Sequence, residues 1–426
     1  MPDVSRLSRQ QLLVAVAAAA RFGSGILMGT GLAVFVERAG GSPFAVSMLF
    51  SAYFLGLTVF APVWGAIADV TGRRRAVLVA TGALATVSVL PLVAVEGVWP
   101  LVGARGLYAV FASGFPPVML AVVSDRGGSE GRGRALGFFN SARAAGFMGG
   151  QLTVGAMLGL FAPDVVYLVI AGVSLVSTVA LVFVDDRSEP SGGGGEASAS
   201  GPTAADVLEE VRGRLLPATG EREHFRRNGL GWLYVALALR NMTVMGVMSL
   251  MPVFLTSGLG LTSFAMGVLL AINPATQTVT MYLFGRVADT EGRKPLITLG
   301  MVGSGAFAVA AALASVPATP LGRALVAAAG FVVIAAAFSA MTTGALAFIG
   351  DTAPAGRESE LMGLRSTAKG VGGVVGPPAV GALATLTSYR SAFLAGSALA
   401  FAAAVLAHAR LTETAPTEAA AVAADD

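Results

Sequence analysis

The sequence predicts an all-α integral membrane protein with twelve transmembrane helices arranged as two parallel six-helix halves. Three observations predict this fold: an apolar composition, twelve apolar runs long enough to cross a bilayer, and a charged phrase that occurs twice. The chain of 426 residues is 55% hydrophobic and 12% charged, with a mean hydropathy of +0.74. Because soluble domains are about 25% charged, most of this chain must lie in lipid.

Composition also argues against several other classes of protein. The net charge of +3 comes from basic residues spread over short loops, without the basic stripe of a nucleic-acid-binding surface. Cysteine is absent, which excludes disulfides and thiolate chemistry. The two histidines, His224 and His408, are far apart, and no hydrolase or zinc-enzyme motif is present. We therefore expect neither an enzyme nor a bound cofactor or metal, and no nucleic-acid partner.

A bilayer core about 30 Å thick needs about 20 apolar residues per helix. The first qualifying run follows Arg6 and Arg9 and is longer than the apolar segment of about 7 to 15 residues in a signal peptide, so we expect it to be retained. The predicted spans 1 to 12 are 12–36, 44–67, 76–95, 99–123, 135–160, 164–184, 230–256, 263–287, 295–316, 321–349, 361–386 and 390–410.

Lysine and arginine predict the orientation, because they accumulate in short cytoplasmic loops. Of the 28 such residues, 19 lie in segments on the same side as the N-terminus. The opposite loops and the span ends beside them hold at most three, Arg38, Arg323 and Arg390. We therefore expect a multi-pass protein of the cell membrane with both termini in the cytoplasm.

A polar linker divides the chain. It contains the run "SGGGGEASASGP" and predicts an N-terminal bundle at 1–184, a cytoplasmic linker at 185–229 and a C-terminal bundle at 230–426. Within the linker, "TAADVLEEVRGRLL" at 203–216 has a capping-box pattern and apolar residues at helical spacing. This segment predicts an amphipathic helix, either on the membrane surface or solvated within the linker.

The two halves repeat each other. The loop after span 2 reads "GAIADVTGRRR" at 65–75, and the loop after span 8 reads "GRVADTEGRKP" at 285–295, an offset of 220 residues. Arg21 in span 1 matches Arg240 in span 7, and the segments after spans 4 and 10 also align. Several landmarks in one order indicate a parallel internal repeat.

Twelve spans in two parallel halves, a long central loop and a doubled G-x-x-x-D-x-x-G-R-[RK] phrase resemble the major facilitator superfamily. The resemblance covers nearly the whole chain. It implies two bundles around a central cavity, lined mainly by spans 1, 4, 7 and 10, and transport by alternating access.

The resemblance also implies that the doubled loop latches the cytoplasmic side closed. Gly72 and Gly292 supply the freedom that a tight turn needs, and Gly65 and Gly285 are expected to allow close helix approach. The acids and arginines are expected to pair across the seam between the halves, although topology alone or solvated loop charge could also explain them. The predicted gate comprises Gly65, Asp69, Gly72, Arg73, Asp125, Gly285, Asp289, Gly292, Arg293 and Asp351.

Four cations, Arg21, Arg143, Arg240 and Lys369, lie about 12 to 14 Å inside their predicted spans. An unpartnered charge at that depth costs at least about 2.5 to 3.5 kcal/mol, and no acid lies mid-span. Either these side chains line the substrate cavity and meet an anionic group, or carbonyls, amides and water solvate them. Further candidates for the cavity, each also explicable by packing, are Tyr53, Tyr108, Asn241, Asn273 and Gln277.

Two further motifs bear on coupling and packing. Arg105 in "RGLYAVFASG" resembles the arginine motif that the family links to proton coupling, although its position near the outer end also suits a topological or interfacial role. Glycines four residues apart in span 5, and again in span 11, are expected to pack helices of opposite halves together. The proline pair in span 11, in place of the family's Gly-Pro pair in span 5, leaves the direction of transport open.

These features predict a secondary active transporter, symporter or antiporter, that moves a small organic solute with an ion gradient. The solute is an organic anion or an amphipathic drug-like compound exported by efflux. We expect a monomer in the lipid bilayer, with a small-molecule substrate and a proton or sodium ion as coupling ion. A non-transporting receptor or scaffold with a transporter fold is the alternative.

The two copies of the loop phrase are unequal, because "RRR" in the first is "RKP" in the second. We therefore expect Asp69→Asn to open the cytoplasmic gate more than Asp289→Asn. The measurement is the labelling rate of a single cysteine placed in the pathway, since the natural chain has none. Equal labelling rates in the two variants would count against the asymmetry.

Overall fold

The computed structural model contains helices joined by short turns, and no strand, within the residues it describes, which are 8–185, 203–215, 227–290, 292–354 and 358–414. Side chains 129–130, 214–215, 227, 288–290 and 358–360 lie outside the described set. The helices are α1 (Arg9–Arg38), α2 (Pro43–Thr71), α3 (Arg74–Val87), α4 (Val98–Ala112), α5 (Phe115–Met157), α6 (Pro163–Val182), α7 (Ala204–Leu215), α8 (Leu230–Val253), α9 (Ser263–Thr290), α10 (Arg293–Leu313), α11 (Pro320–Thr352), α12 (Glu358–Leu386) and α13 (Tyr389–Arg410).

The predicted all-helical membrane fold is confirmed, and every predicted span falls largely on helix. Among the described residues, nine helical segments are long and apolar enough to cross a membrane. Three other segments are not among them: the second part of α5, α9 and α12. They contain polar and glycine-rich stretches, which lower their mean hydropathy. The count of twelve therefore stays a prediction.

Predicted spans 3 and 4 coincide with the apolar segments Arg74–Val93 and Val98–Gly128, but the helix is interrupted within each. Helix α3 ends at Val87, and a 3-10 turn follows at Leu90–Val93, where Pro91 cannot continue the helical hydrogen bonding. Span 4 is broken after Ala112, and α5 starts at Phe115 with prolines in its first turn, a position that proline favours. This helix then continues through the predicted loop, with one kink at Gly128.

The linker contains the predicted helix, α7, which packs against α2. The Thr203 backbone N–H donates to Asp206 Oδ2 at 2.7 Å, and Thr203 Oγ1 donates to the same oxygen at 2.9 Å. These two bonds hold the pKa of Asp206 below its usual range. The capping pattern read from the sequence thus marks the start of a helix, while its placement on the membrane surface stays a prediction.

The chain forms two compact units. Unit 1 is Met1–Leu216 with Ser249–Ala275, and unit 2 is Pro217–Met248 with Thr276–Asp426. Buried residues of α1, α3, α5 and α6 form a core in unit 1, and residues of α8, α10, α11 and α13 form one in unit 2. The bundle boundaries predicted from the sequence stay a prediction, since residues 249–275 group with unit 1.

Glycines let helices touch backbone to backbone inside each unit. A Cβ at Gly146 of α5 would lie 2.3 Å from the carbonyl oxygen of Ala19 in α1. A Cβ at Gly376 of α12 would lie 2.3 Å from the carbonyl oxygen of Met242 in α8. The expected close packing is present, but its expected partner was wrong, because each helix contacts the first helix of its own half.

A further glycine contact lies farther along α5, beyond Gly146. In unit 1, a Cβ at Gly155 of α5 would lie 2.7 Å from the Cα of Gly267 in α9. Both residues are glycine, so the two backbones can approach without a side chain between them. This contact joins helices from different sequence halves and lies within unit 1.

We expect Gly146→Ala to lower the free energy of unfolding by about 1 to 3 kcal/mol, since the new methyl group meets a backbone oxygen that cannot rotate away. The control is Gly149→Ala in the same helix, where a Cβ meets nothing within 4 Å. That change should leave stability equal or raise it by up to about 1 kcal/mol through helix propensity. Thermal unfolding of the purified variants measures both, and equal melting temperatures would contradict the packing.

Candidate functional site

The first copy of the repeated loop forms a charged cluster in unit 1. Gly72 caps α2 with a φ of 65°, as the turn requires. The Arg74 guanidinium lies 3.7 Å from Asp69 Oδ1 and also forms an ion pair with Asp125. Arg74 therefore ties the ends of α2 and α3 to α5.

The second copy is built from different partners in unit 2. Gly292 caps the start of α10 with a φ of 90°. The Arg293 Nε donates to Asp351 Oδ2 at 2.8 Å, and Thr414 Oγ1 donates to the same oxygen at 2.9 Å. Glu413 accepts from the backbone N–H groups of Arg293 and Lys294 at 2.9 and 3.1 Å. The chain after α13 thus caps α10 with an acid, which is favourable at a helix N-terminus.

The two loops use arginines at different offsets from their glycines. The ion-paired side chain is Arg74 in the first copy, where Arg73 is the exposed N-cap residue, and Arg293 in the second. The ion pairs of Arg74 lie within unit 1 and that of Arg293 lies within unit 2, so pairing across the seam stays a prediction. The side chain of Asp289 lies outside the described residues. A Cβ at Gly285 would meet nothing within 4 Å, so the close helix packing expected at Gly285 was wrong. Gly65 is buried, as expected for close packing.

Arg21 is buried in unit 1 and faces α6. Its Nη1 donates to Ser174 Oγ at 2.9 Å, and its Nη2 donates to Thr178 Oγ1 at 3.2 Å. Only 4% of the residue is exposed. These contacts favour solvation by the protein, and a role for Arg21 in the substrate cavity stays a prediction.

Arg240 is the most deeply buried cation of unit 2, with 1% of the residue exposed. Its Nε donates to Ser304 Oγ of α10 at 2.7 Å, and its Cζ lies 5.8 Å from the ring centroid of Phe338. The neighbouring Asn241 donates through Nδ2 to the carbonyl oxygen of Lys369 at 2.5 Å. This bond fixes α12 against α8 beside the buried guanidinium.

Aromatic rings contact the remaining deep cations. The Cζ of Arg143 lies 5.9 Å from the Phe22 ring centroid and 6.0 Å from that of Phe147. The Nζ of Lys369 lies 5.5 Å from the Phe338 ring centroid. Cation–π contacts of this length contribute about 0.5 to 2 kcal/mol and supply no counter-charge.

Arg105 lies in an aromatic enclosure inside unit 1. Its Cζ is 4.2 Å from the Tyr53 ring centroid and 5.6 Å from that of Tyr108. Tyr108 Oη lies 3.1 Å from Ser24 Oγ, and a Cβ at Gly29 would lie 3.0 Å from Arg105 Nη2. Arg105 is 4% exposed, so the interfacial role allowed by the sequence does not fit.

The last two predicted cavity residues, Asn273 and Gln277, are half-buried on α9. Sequence reasoning missed the groups that contact the buried cations, Ser174, Thr178, Ser304 and Phe338, and also the acid that caps α10, Glu413. Serine, threonine and phenylalanine are common in membrane helices, so nothing in the sequence pattern distinguishes the first four.

Duplicated apolar bundles, buried cations and a repeated ion-paired loop define a polytopic membrane protein of the transporter class. The chain belongs to the major facilitator superfamily, whose family model matches residues 13–343 and 233–426.

Relatives of known name match parts of the chain. The multi-drug resistance efflux pump PmrA of Streptococcus pneumoniae is 28% identical over 162 residues, which are 37% of this chain and 40% of the pump. A PmrA homolog of Lactococcus lactis is 24% identical over 263 residues, 60% of this chain and 59% of that protein. The chain therefore spans between two fifths and three fifths of these curated relatives.

A solved structure matches the fold over nearly the full length. The nucleoside transporter NupG superposes with a TM-score of 0.73 at 12% identity, covering 95% of this chain and 99% of that one. At this identity the match shows a shared fold.

We expect Glu413→Ala to destabilise the first turn of α10 by about 1 kcal/mol, since two N–H groups lose their acceptor. Hydrogen exchange of the Arg293 and Lys294 amides should become faster. The control is Thr412→Ala, an exposed neighbour. Unchanged exchange at both amides in Glu413→Ala would contradict the capping role.

Proposed function

We propose that this protein is a secondary active transporter that exports small amphipathic organic compounds by alternating access, driven by an ion gradient. Family membership is the observation that carries this proposal. Transport in this family is the work of a duplicated bundle, and this chain has both the duplication and the fold. The proposal includes a cell-membrane location with both termini in the cytoplasm and a monomeric state.

The repeated loop supports a gating cycle. Each copy combines a positive-φ glycine with an arginine–aspartate pair at the start of the third helix of its half. Exposed ion pairs contribute only about 0 to 1 kcal/mol. A contact of that strength can form and break during a transport cycle without unfolding the protein.

The names of the relatives support the proposed direction and substrate class. PmrA and its homolog are named multi-drug resistance efflux pumps. The described helices offer rings and a few buried polar groups, a combination suited to apolar solutes with one or two polar atoms. We therefore propose export of amphipathic compounds rather than uptake of a sugar or another strongly polar solute.

Arg105 is the proposed coupling residue. Its guanidinium is enclosed by Tyr53, Tyr108 and the small face of α1 at Gly29. A buried guanidinium beside phenol groups stabilises negative charge nearby. A proton is the coupling ion that this environment favours over sodium, which prefers several oxygen ligands.

The test is transport by the purified protein in liposomes, with lipophilic fluorescent dyes and an imposed pH gradient. We expect gradient-dependent dye accumulation that an ionophore abolishes. Arg105→Lys keeps the positive charge but loses the planar guanidinium with its several N–H donors. Gradient-driven dye accumulation should therefore fall about tenfold, while dye exchange without a gradient persists.

Dye movement that is absent under every gradient would favour the receptor or scaffold alternative. A separate experiment tests the proposed cavity roles of Arg21 and Arg240, which occupy matching positions in the repeat. If Arg21→Ala and Arg240→Ala both transport an identified substrate at wild-type rates, neither side chain acts on the substrate.

A further inference from the structure

Two cations contact one aromatic ring inside unit 2, and a third cation lies one helical turn away from one of them. Arg240 lies on α8, Arg365 and Lys369 lie one turn apart on α12, and Phe338 lies on α11. Arg240 and Lys369 are 5.8 and 5.5 Å from the Phe338 ring centroid. Arg365 is close enough to Arg240 for their charges to repel. We call Arg240, Arg365, Lys369 and Phe338 the cationic cluster.

The helices that build the cluster offer no acid at its level. Helices α8 and α10 contain no aspartate or glutamate. Helix α11 has one acid, Asp351, in its last turn, where it pairs with Arg293, and α12 has its acids only in its first turn. Three like charges in an apolar bundle repel one another and are costly to bury.

The cluster also has unused hydrogen-bonding capacity. Within the part of the chain that the structure describes, Arg240 Nη2, Arg365 Nε and Thr342 Oγ1 are buried without a hydrogen-bond partner. Thr342 is one turn from Phe338 on α11 and therefore lies on the same side of that helix. Arg240 is almost fully buried, whereas Arg365 and Lys369 are half-buried, so the cluster has a closed end and a more open end.

We propose that the cationic cluster binds the oxyanion group, above all a carboxylate, of an amphipathic organic solute. An arginine fork and an ammonium group match the two oxygens of a carboxylate. One bound anion lowers the repulsion between the three cations. It also supplies hydrogen-bond acceptors for the buried donors that have no partner in the protein. The Phe338 ring and the apolar faces of α8 and α11 then contact the solute body. The assignment names the substrate class and rests on the proposed transport function.

Unit 1 does not offer a comparable arrangement among its described residues. The Arg21 guanidinium is held by two hydroxyls, and Arg105 is covered by Tyr53 and Tyr108. Arg143 contacts Phe22 and Phe147. Arg21 Nε and Arg105 Nη1 are also buried without a hydrogen-bond partner. Among the described residues of unit 1, however, each ring contacts a single cation, whereas Phe338 contacts both Arg240 and Lys369, which lie on different helices.

The test measures binding rather than transport. Purified protein is melted with naphthoate, with its uncharged amide naphthamide, and with inorganic phosphate. We expect naphthoate to raise the melting temperature more than naphthamide does, because a ligand that binds only the folded state stabilises it. Phosphate alone should give a smaller shift, and a shift equal to that of naphthoate would overturn the role of the apolar body.

The variants are Lys369→Gln and Arg365→Gln, both half-buried positions. Each should weaken naphthoate affinity roughly tenfold, as the loss of a charge-assisted hydrogen bond implies. Lys369→Arg should restore binding, which separates loss of charge from loss of folding. The control Arg390→Gln removes the same charge from an exposed position in the same unit and should leave affinity unchanged.

The proposal is overturned if Lys369→Gln and Arg365→Gln bind naphthoate as the wild type does. It is also overturned if naphthamide binds equally well, or if Arg143→Gln abolishes binding while Lys369→Gln does not. Failure of the transport proposal has a different signature. If the protein binds naphthoate through the cluster but moves no solute in liposomes, the proposed anion site stands and the proposed transport function fails.

Discussion

A guanidinium inside an apolar helix bundle must be solvated by the protein, and this chain does so without mid-membrane carboxylates. Arg21 is held by Ser174 and Thr178, Arg105 by tyrosine rings, and Arg240 by Ser304 and a phenylalanine ring. Each solution needs partners from a second helix at a fixed register. The cations therefore determine how α1 meets α6, how α4 meets α2, and how α8 meets α10. Positive charge without full compensation is also what an anionic solute requires of its site.

The internal repeat places a buried arginine at matching positions in the two halves, and the two arginines have different hydrogen-bond partners. Arg21 and Arg240 occupy matching positions, yet one bonds the sixth helix of its half and the other bonds the third. The repeated loop diverges in a similar way, with Arg74 paired in one copy and Arg293 in the other. In the second copy, Glu413 and Thr414 reinforce the cluster from the end of the chain.

The sequence was sufficient for the helices, the repeat and the positive-φ glycines, because hydropathy and turn chemistry are local properties. The sequence was not sufficient to predict which residues contact one another between helices. Spacing identified the close-packing glycines Gly146 and Gly376, but the helix they touch depends on how the bundle closes. The loop pattern gave Arg73 and Arg293 equal weight, whereas Arg74 makes the contact, because one extra residue precedes α3. The contact of Arg240 and Lys369 with Phe338 joins residues that are far apart in sequence, so no motif could reveal it.

The most direct measurement is an experimental structure of the protein with a brominated naphthoate, in which the heavy atom marks the ligand. The account predicts density beside Phe338, with the carboxylate contacting at least two of Arg240, Arg365 and Lys369. A carboxylate bound instead beside Arg105 and Tyr53, or away from every buried cation, would contradict it.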